Sequence, residues 1–248
     1  MNAELYALTH RGNAGDVAFY QRVCRGAQRV LELGSGYGRV LGALAQADRQ
    51  LIGLERDPEF IALAKRNLRK LPAPKRRAIR LLRGDMRNFA LPAPVQRVLL
   101  PYNALYCLVT KTDALACFRA ARRALVAGGV LALDVWNAAQ FHGSVSVHDP
   151  AQEREPIVTL RHAGHTYDVF ERSRVRRAQQ RLDVAYEYVP RSGGSRCEIP
   201  IAQRYYLAEE IDALLARSGF ALQARYGEFS GRRFNSRSAQ LIVLARAI

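Results

Sequence analysis

Lysine is nearly missing from this chain, appearing only at 65, 70, 75 and 111 among 38 basic residues. Arginine therefore carries the formal charge of +16. Cysteine is also scarce. Cys24, Cys107, Cys117 and Cys197 are scattered, with no Cys-x-x-Cys pair and no histidine cluster beside them. That spacing excludes a zinc knuckle and a disulfide framework, and it suits a reducing cytoplasm. No apolar run approaches the ~20 residues of a membrane helix, and the first residues, MNAELYALTHRGN, lack the apolar core of a secretory signal. The two densest basic runs, Lys65 to Arg83 and Arg172 to Arg181, lack the interleaved aromatics of a base-stacking platform. A solvated basic surface is preferred over a nucleic-acid interface.

What the chain does have is 49% apolar residues in 248, enough for one large α/β domain with an insertion. Its organising stretch is Val30 to Val40, VLELGSGYGRV. A strand over Arg29 to Leu33 runs into Gly34, Gly36 and Gly38, and a helical pattern starts at Arg39. A strand ending in a glycine turn that opens a helix brings bare backbone close to a ligand. The dinucleotide fingerprint needs glycine at the sixth place of the loop, and here that place is Arg39.

Strand and helix then alternate. Gln50 to Leu54, Ala78 to Leu82, Val95 to Leu100 and Val130 to Val135 read as strands, and their short apolar runs suit a parallel sheet. Asp16 and Asp57 read as helix N-caps, and Gly128-Gly129 as the stop of a helix over Asp113 to Leu125. From Ala138 the pattern changes to four strands separated by turns: Pro156 to His162, Thr166 to Arg176, Arg181 to Val189 and Glu198 to Leu207. A helix over Ala208 to Ser218 and strands over Phe220 to Tyr226 and Leu241 to Ala245 close the chain. Residues 1–29 form a helical cap, residues 30–137 and 205–248 the α/β domain, and residues 138–204 an antiparallel insertion.

Ligands of an open parallel sheet bind beyond the carboxyl ends of its strands. Glu55 follows the second strand, where an acid can accept ribose hydroxyls. Asp85 follows the third, where it can accept from an adenine amine or simply close an Asx turn, with Met86 as an apolar contact for the ring.

Glu32 to Gly38, Glu55, Gly84-Asp85-Met86 and the Pro101-Tyr102-Asn103 turn occur in order at successive strand ends. Together they resemble a class I S-adenosylmethionine-dependent methyltransferase. Within that class the chain is similar to the small-molecule branch that holds amino-sugar N-methyltransferases and glycine N-methyltransferase-like enzymes. The resemblance implies a Rossmann-like, mostly parallel sheet of seven strands in the order 3-2-1-4-5-7-6, with helices on both faces. It implies S-adenosyl-L-methionine as cofactor. Gly34, Gly36 and Gly38 would meet its methionine half, Glu32 its amino group, Glu55 its ribose, and Asp85 with Met86 its adenine. Leu100 and Pro101 would line the path of the sulfonium. Tyr37 departs from the family pattern, which has a small residue there.

Methyl transfer needs alignment and desolvation more than acid–base machinery. A base is useful where the acceptor arrives protonated. His10, in the N-terminal cap, and His142, after the fifth strand, hold the positions for one, although at His10 a solvated histidine near the terminus is the slightly preferred reading. Asp134 and Asn137 are too isolated in sequence for a metal site. Nucleobase amino-methylation would need Asp/Asn-Pro-Pro-aromatic where the chain has Pro101-Tyr102-Asn103-Ala104. Cytosine chemistry would need a reactive cysteine, and Cys107 reads as packed. The expectation is a cytoplasmic methyltransferase acting on N or O of a small molecule. An RNA-directed enzyme, a non-catalytic cofactor-binding module and an NAD-dependent oxidoreductase are the rivals.

Overall fold

The structure is a computed structural model that describes residues 2–143 and 154–248. Residues 144–153 of the expected insertion lie outside the described residues. Two short helices, α1 (Ala3–Thr9) and α2 (Asp16–Val23), precede strand β1 (Arg29–Leu33). Then come α3 (Arg39–Leu44), β2 (Gln50–Glu55), α4 (Pro58–Leu68), α5 (Ala73–Arg77), β3 (Ile79–Arg83) and β4 (Val95–Leu100). Helix α6 (Lys111–Ala124) leads into β5 (Leu125–Trp136), followed by the single turn α7 (Ala139–His142). Four long strands follow: β6 (Glu155–His162), β7 (His165–Arg176), β8 (Arg181–Pro190) and β9 (Cys197–Arg204). The chain closes with α8 (Ala208–Ala216), β10 (Phe220–Tyr226) and β11 (Gln240–Ala247).

The first sheet has seven strands in the order β10-β11-β5-β4-β1-β2-β3, and the second has four in the order β6-β7-β8-β9. In the first sheet β1 to β5 run parallel, while β11 is antiparallel to both β5 and β10. Counting only its own strands, that is the expected 3-2-1-4-5-7-6 Rossmann-like sheet. The second sheet is antiparallel throughout.

Strand alternation sorts the core into two layers. Leu31 and Leu33 face α6, α8 and the second sheet, in a cluster that includes Phe118, Ile211, Leu214, Tyr186 and Tyr188. Val30, Leu51, Leu99 and Ile242 face α2 and α3, packing on Phe19, Tyr20, Leu41 and Leu44. Helix α4 begins where expected, with Asp57 capping Glu59 N–H at 2.8 Å and Pro58 in the first turn.

Two local expectations are corrected. Gly128-Gly129 does not stop a helix: α6 ends at Ala124 and both glycines lie inside β5. There the register with β4 jumps from Val95↔Leu125 to Arg97↔Val130, so the glycines absorb a bulge. Asp16 does not cap α2. The cap position is Gly15, in the left-handed region, because the Asp16 carboxylate is taken by Arg39.

Candidate active site

A cavity of about 500 Å³ opens at the carboxyl ends of β1, β2, β3 and β4. This is within the range usual for small-ligand sites. Its floor is the glycine loop, where Gly34 and Gly36 both have positive φ. Nothing lies within 4 Å of a Cβ built on Gly36, yet its φ of +51° would strain an L side chain. Gly38 is not among the lining residues. It starts α3 and packs toward Ala64 and Leu68 of α4.

Glu32 is the decisive side chain. It alternates with Leu31 and Leu33 and so points to the α3 face, lining the cavity while only 3% exposed. Its Oε2 has no hydrogen-bond partner, and burial pushes the carboxyl up to about 8. A buried carboxylate oxygen without a donor is costly unless a ligand supplies one. Ser35 Oγ, on the same wall, is likewise buried and unpartnered.

Glu55 also lines the cavity and braces the loop. Its Oε2 accepts Gly36 N–H at 2.8 Å, and its Oε1 accepts the N–H groups of Arg56 (2.7 Å) and Asp57 (3.0 Å). Asp85 and Met86 are lining residues too. Asp85 does close the Asx turn, with Arg87 N–H on its Oδ1 at 2.9 Å. The Arg87 side chain bridges Asp85 and Asp113, and its hydrogen bonds hold the Asp85 carboxyl below the usual range. Pro101 lines the cavity, whereas the Leu100 side chain is buried in the core behind it.

The roof comes from the N-terminal helices. Arg39 forms a two-pronged ion pair with Asp16, at 2.9 and 2.7 Å, and a Cβ on Gly12 would sit 2.3 Å from its guanidinium. Tyr37, the departure from the family pattern, donates its hydroxyl to His10 O at 2.8 Å and so ties the loop to the cap. Asp134, fully buried at the end of β5, accepts from Tyr20 OH (2.5 Å), Tyr102 N–H (3.0 Å) and Asn13 Nδ2 (3.5 Å). Burial pushes its carboxyl up to about 6. Tyr102 and Asn103 both have positive φ, a conformation that costs of order 1–3 kcal/mol per residue. The end of β5 holds that turn: Asn103 N–H reaches Asp134 O, and Asn103 Oδ1 accepts Trp136 N–H. The result places Tyr102 at the cavity, under Arg39.

His10 lines the cavity and is only 8% exposed, not solvated. Its Nδ1 lies 3.0 Å from Tyr6 O, which fixes the proton on Nδ1 and leaves the Nε2 lone pair available. The ring stacks on Tyr6 (3.9 Å) and meets Tyr186 edge-on (4.5 Å). Burial lowers its pKa to about 4, so it is neutral at ordinary pH. His142 is not a lining residue; its Nδ1 pairs with Tyr205 OH at 2.8 Å. Cys107, read as packed, is instead exposed on the cavity wall. The aromatic lining of Tyr6, Phe60 and Tyr102 went unread in the sequence, because an aromatic at such positions looks like core. Among the described residues no group of three or more His, Cys, Asp or Glu is arranged to hold a metal ion.

Residues 30–129 match the family model described as a methyltransferase domain. The chain carries a methyltransferase domain. No curated protein matches this methyltransferase in sequence. Among solved structures it is similar to the CcbJ methyltransferase from Streptomyces caelestis, at 23% identity and a TM-score of 0.80, covering 96% of this chain and 98% of that one. It is also similar to an S-adenosylmethionine-dependent methyltransferase from Clostridium acetobutylicum, at 14% identity and a TM-score of 0.79, covering 99% and 97%. A third similar structure is CalS10 with bound S-adenosylmethionine, an amino pentose methyltransferase from Micromonospora echinaspora involved in calicheamicin biosynthesis. Identity there is 23% and the TM-score 0.72, covering 100% of this chain and 98% of that one. The methyltransferase domain and the strands around it thus share the Rossmann-like fold of these structures.

Proposed function

We propose that this methyltransferase moves a methyl group from S-adenosyl-L-methionine to N or O of a small molecule in the cavity beneath its N-terminal helices. The observation that carries the reading is Glu32 Oε2, a buried acceptor without a donor beside two bare glycines. A cationic amine is the group that satisfies it best. The donor residues are then Glu32 for the methionine ammonium, Gly34 and Gly36 for close backbone approach, and Gly38 to start the helix behind them. Glu55 takes the ribose with the acceptor capacity that its three backbone N–H bonds leave. Asp85 and Met86 take the adenine, and the Leu100-Pro101 backbone lies along the path to the sulfur. The cofactor supplies a methyl on positively charged sulfur, which needs no metal and little acid–base help. The chain's own part is to align the acceptor and exclude water.

The catalytic role falls to His10, neutral and with Nε2 free to accept an acceptor proton. His142, tied to Tyr205, is given no role. Residues 1–29 cap the donor site, 30–137 with 205–248 form the cofactor domain, and 138–204 wall the acceptor side. The acceptor is a small molecule rather than a nucleic acid. In support, Arg172 and Arg176 on β7 are already paired with Glu198 and Asp183. Four free thiols suit the cytoplasm. No helix among the described residues is long and apolar enough to cross a membrane.

A thermal-shift comparison of S-adenosylhomocysteine with NAD tests the donor site. Saturation at 100 times the dissociation constant adds ~2.7 kcal/mol of stability. A shift with NAD and none with S-adenosylhomocysteine overturns the reading.

A further inference from the structure

The inner face of the second sheet is apolar and aromatic almost throughout. Leu160 on β6, Val169 on β7, Leu182, Val184, Tyr186 and Tyr188 on β8, and Ile199 on β9 are all buried in the main core cluster. Alternation on β7 puts Tyr167, Val169, Glu171, Ser173 and Val175 on that same face. Glu171 breaks the pattern. It is half-buried, it sits directly opposite Tyr186 in the β7–β8 register, and it hydrogen-bonds the Tyr186 hydroxyl. Its neighbour across β6 is a second carboxylate, Glu155, so no basic residue faces it from either flanking strand position.

The Tyr186 hydroxyl needs an acceptor, but a neutral one would serve it at lower cost than a half-buried carboxylate. The position stands just behind the reaction cavity, one side chain removed from its lining. Tyr186 meets the edge of His10, and Ile201, on the next strand of the same face, lines the cavity. Burial raises the pKa of the Tyr102 phenol, also a lining residue, against the charge of Arg39; Asp134, Asp16 and, least, Glu171 add to the rise. Behind the aromatic rings on the side of the cavity away from the glycine loop there thus stands a negative group, Glu171.

We propose that Glu171, held by Tyr186, is the side chain that reads the charge of the methyl acceptor, selecting a protonated amine over a neutral alcohol or an acid. This rests on the small-molecule methyltransferase reading above. The arrangement has two parts. Aromatic faces accommodate a cation without requiring it to shed all favourable contacts. A carboxylate just behind those rings favours a positive charge among them, and before transfer the ammonium gives its proton to His10 Nε2, which frees the nitrogen lone pair.

Three probes of one shape separate charge from fit: cyclohexylammonium, cyclohexanol and cyclohexanecarboxylate. Their binding to the full chain is read by ligand-observed NMR titration, with and without S-adenosylhomocysteine. The expected result is cyclohexylammonium at least tenfold tighter than cyclohexanol, with the carboxylate weakest. In Glu171→Gln the ammonium falls to within threefold of the alcohol, while S-adenosylhomocysteine affinity stays unchanged. Tyr186→Phe retains the ring and narrows the preference. Equal binding of the ammonium and the alcohol to the wild type overturns the proposal without any variant having to fold. A folded Glu171→Gln that keeps the preference overturns it as well. Should S-adenosylhomocysteine fail to bind the wild type, the donor-site reading falls, and the order of the three probes still decides the role of Glu171.

Discussion

The two sheets carry polar side chains by different means. In the first, Glu55 and Asp134 at the strand ends take backbone donors: three N–H groups fix Glu55, and Tyr102 N–H, beside the buried Tyr20 OH, fixes Asp134. In the second, the outward arginines are held by other side chains, as with Arg172 on Glu198 and Arg191 on Asp168. Backbone donors are pre-placed by the fold and lose little entropy when used. Long exposed side chains must be ordered for each pair and are screened by salt. The strand ends of the first sheet therefore form a fixed mould, and the outer face of the second is a surface that tolerates change.

Four measurements would break or sharpen that contrast. The largest effect is expected at Gly36. A Cβ there meets no neighbour within 4 Å, but a valine must adopt a φ of +51° and fill the cavity floor. Gly36→Val should weaken S-adenosylhomocysteine by roughly 1,000-fold, about 4 kcal/mol by calorimetry, while far-UV circular dichroism stays unchanged. Retained binding would show that the loop is not a mould. Next comes Asp16→Ala, which leaves Arg39 unpaired at a position only 20% exposed. Chemical denaturation should show a loss of about 3 kcal/mol. A loss below 1 kcal/mol would put the roof in the same class as the outer face.

Third is the pH dependence set by Glu32. Its folded pKa of about 8 lies above the unfolded value, so its contribution to stability is greatest when protonated and is lost as pH rises toward 8. A bound ammonium favours the ionised form. Affinity for S-adenosylhomocysteine should therefore rise up to tenfold per pH unit between about 6 and 8, then level off. Glu32→Gln should remove that slope and cost about tenfold at pH 8.5. A flat wild-type profile would separate Glu32 from the ligand. The smallest effect belongs to the outer face. Arg172→Ala should change stability by under ~0.5 kcal/mol, and a larger loss would mean that the second sheet depends on its surface pairs.

Much of this architecture was legible in the chain itself, for physical reasons that differ by region. The parallel strands announce themselves as short apolar runs, and the inserted strands by alternation, because period and burial are local properties. Strand ends then located Glu32, Glu55 and Asp85 on one cavity wall. What could not be read is pairing across the fold. Asp16 looks like a helix cap until Arg39, in a different helix, is seen to claim it. His142 looks poised until Tyr205 is found beside it. Gly128-Gly129 carries the usual helix-stop composition and is spent on a bulge, because strand register is a property of two segments. Tyr37 pointed to something unusual in the loop, but its partner, the His10 carbonyl, has no sequence signature.

The contacts of the N-terminal helices span very unequal stretches of chain. Thr9 Oγ1 meets Tyr188 OH across 179 positions, and Tyr20 OH meets Asp134 across 114. Closing such distances is slow relative to local pairing. The ribosome makes this segment long before it makes Asp134 or Tyr188, and until both exist the segment can dock only on nearer partners such as Tyr37 and Arg39. The part of the protein that roofs the cavity is therefore translated ahead of its partners and seats after them. A cavity competent for ligand arises only at the end of folding.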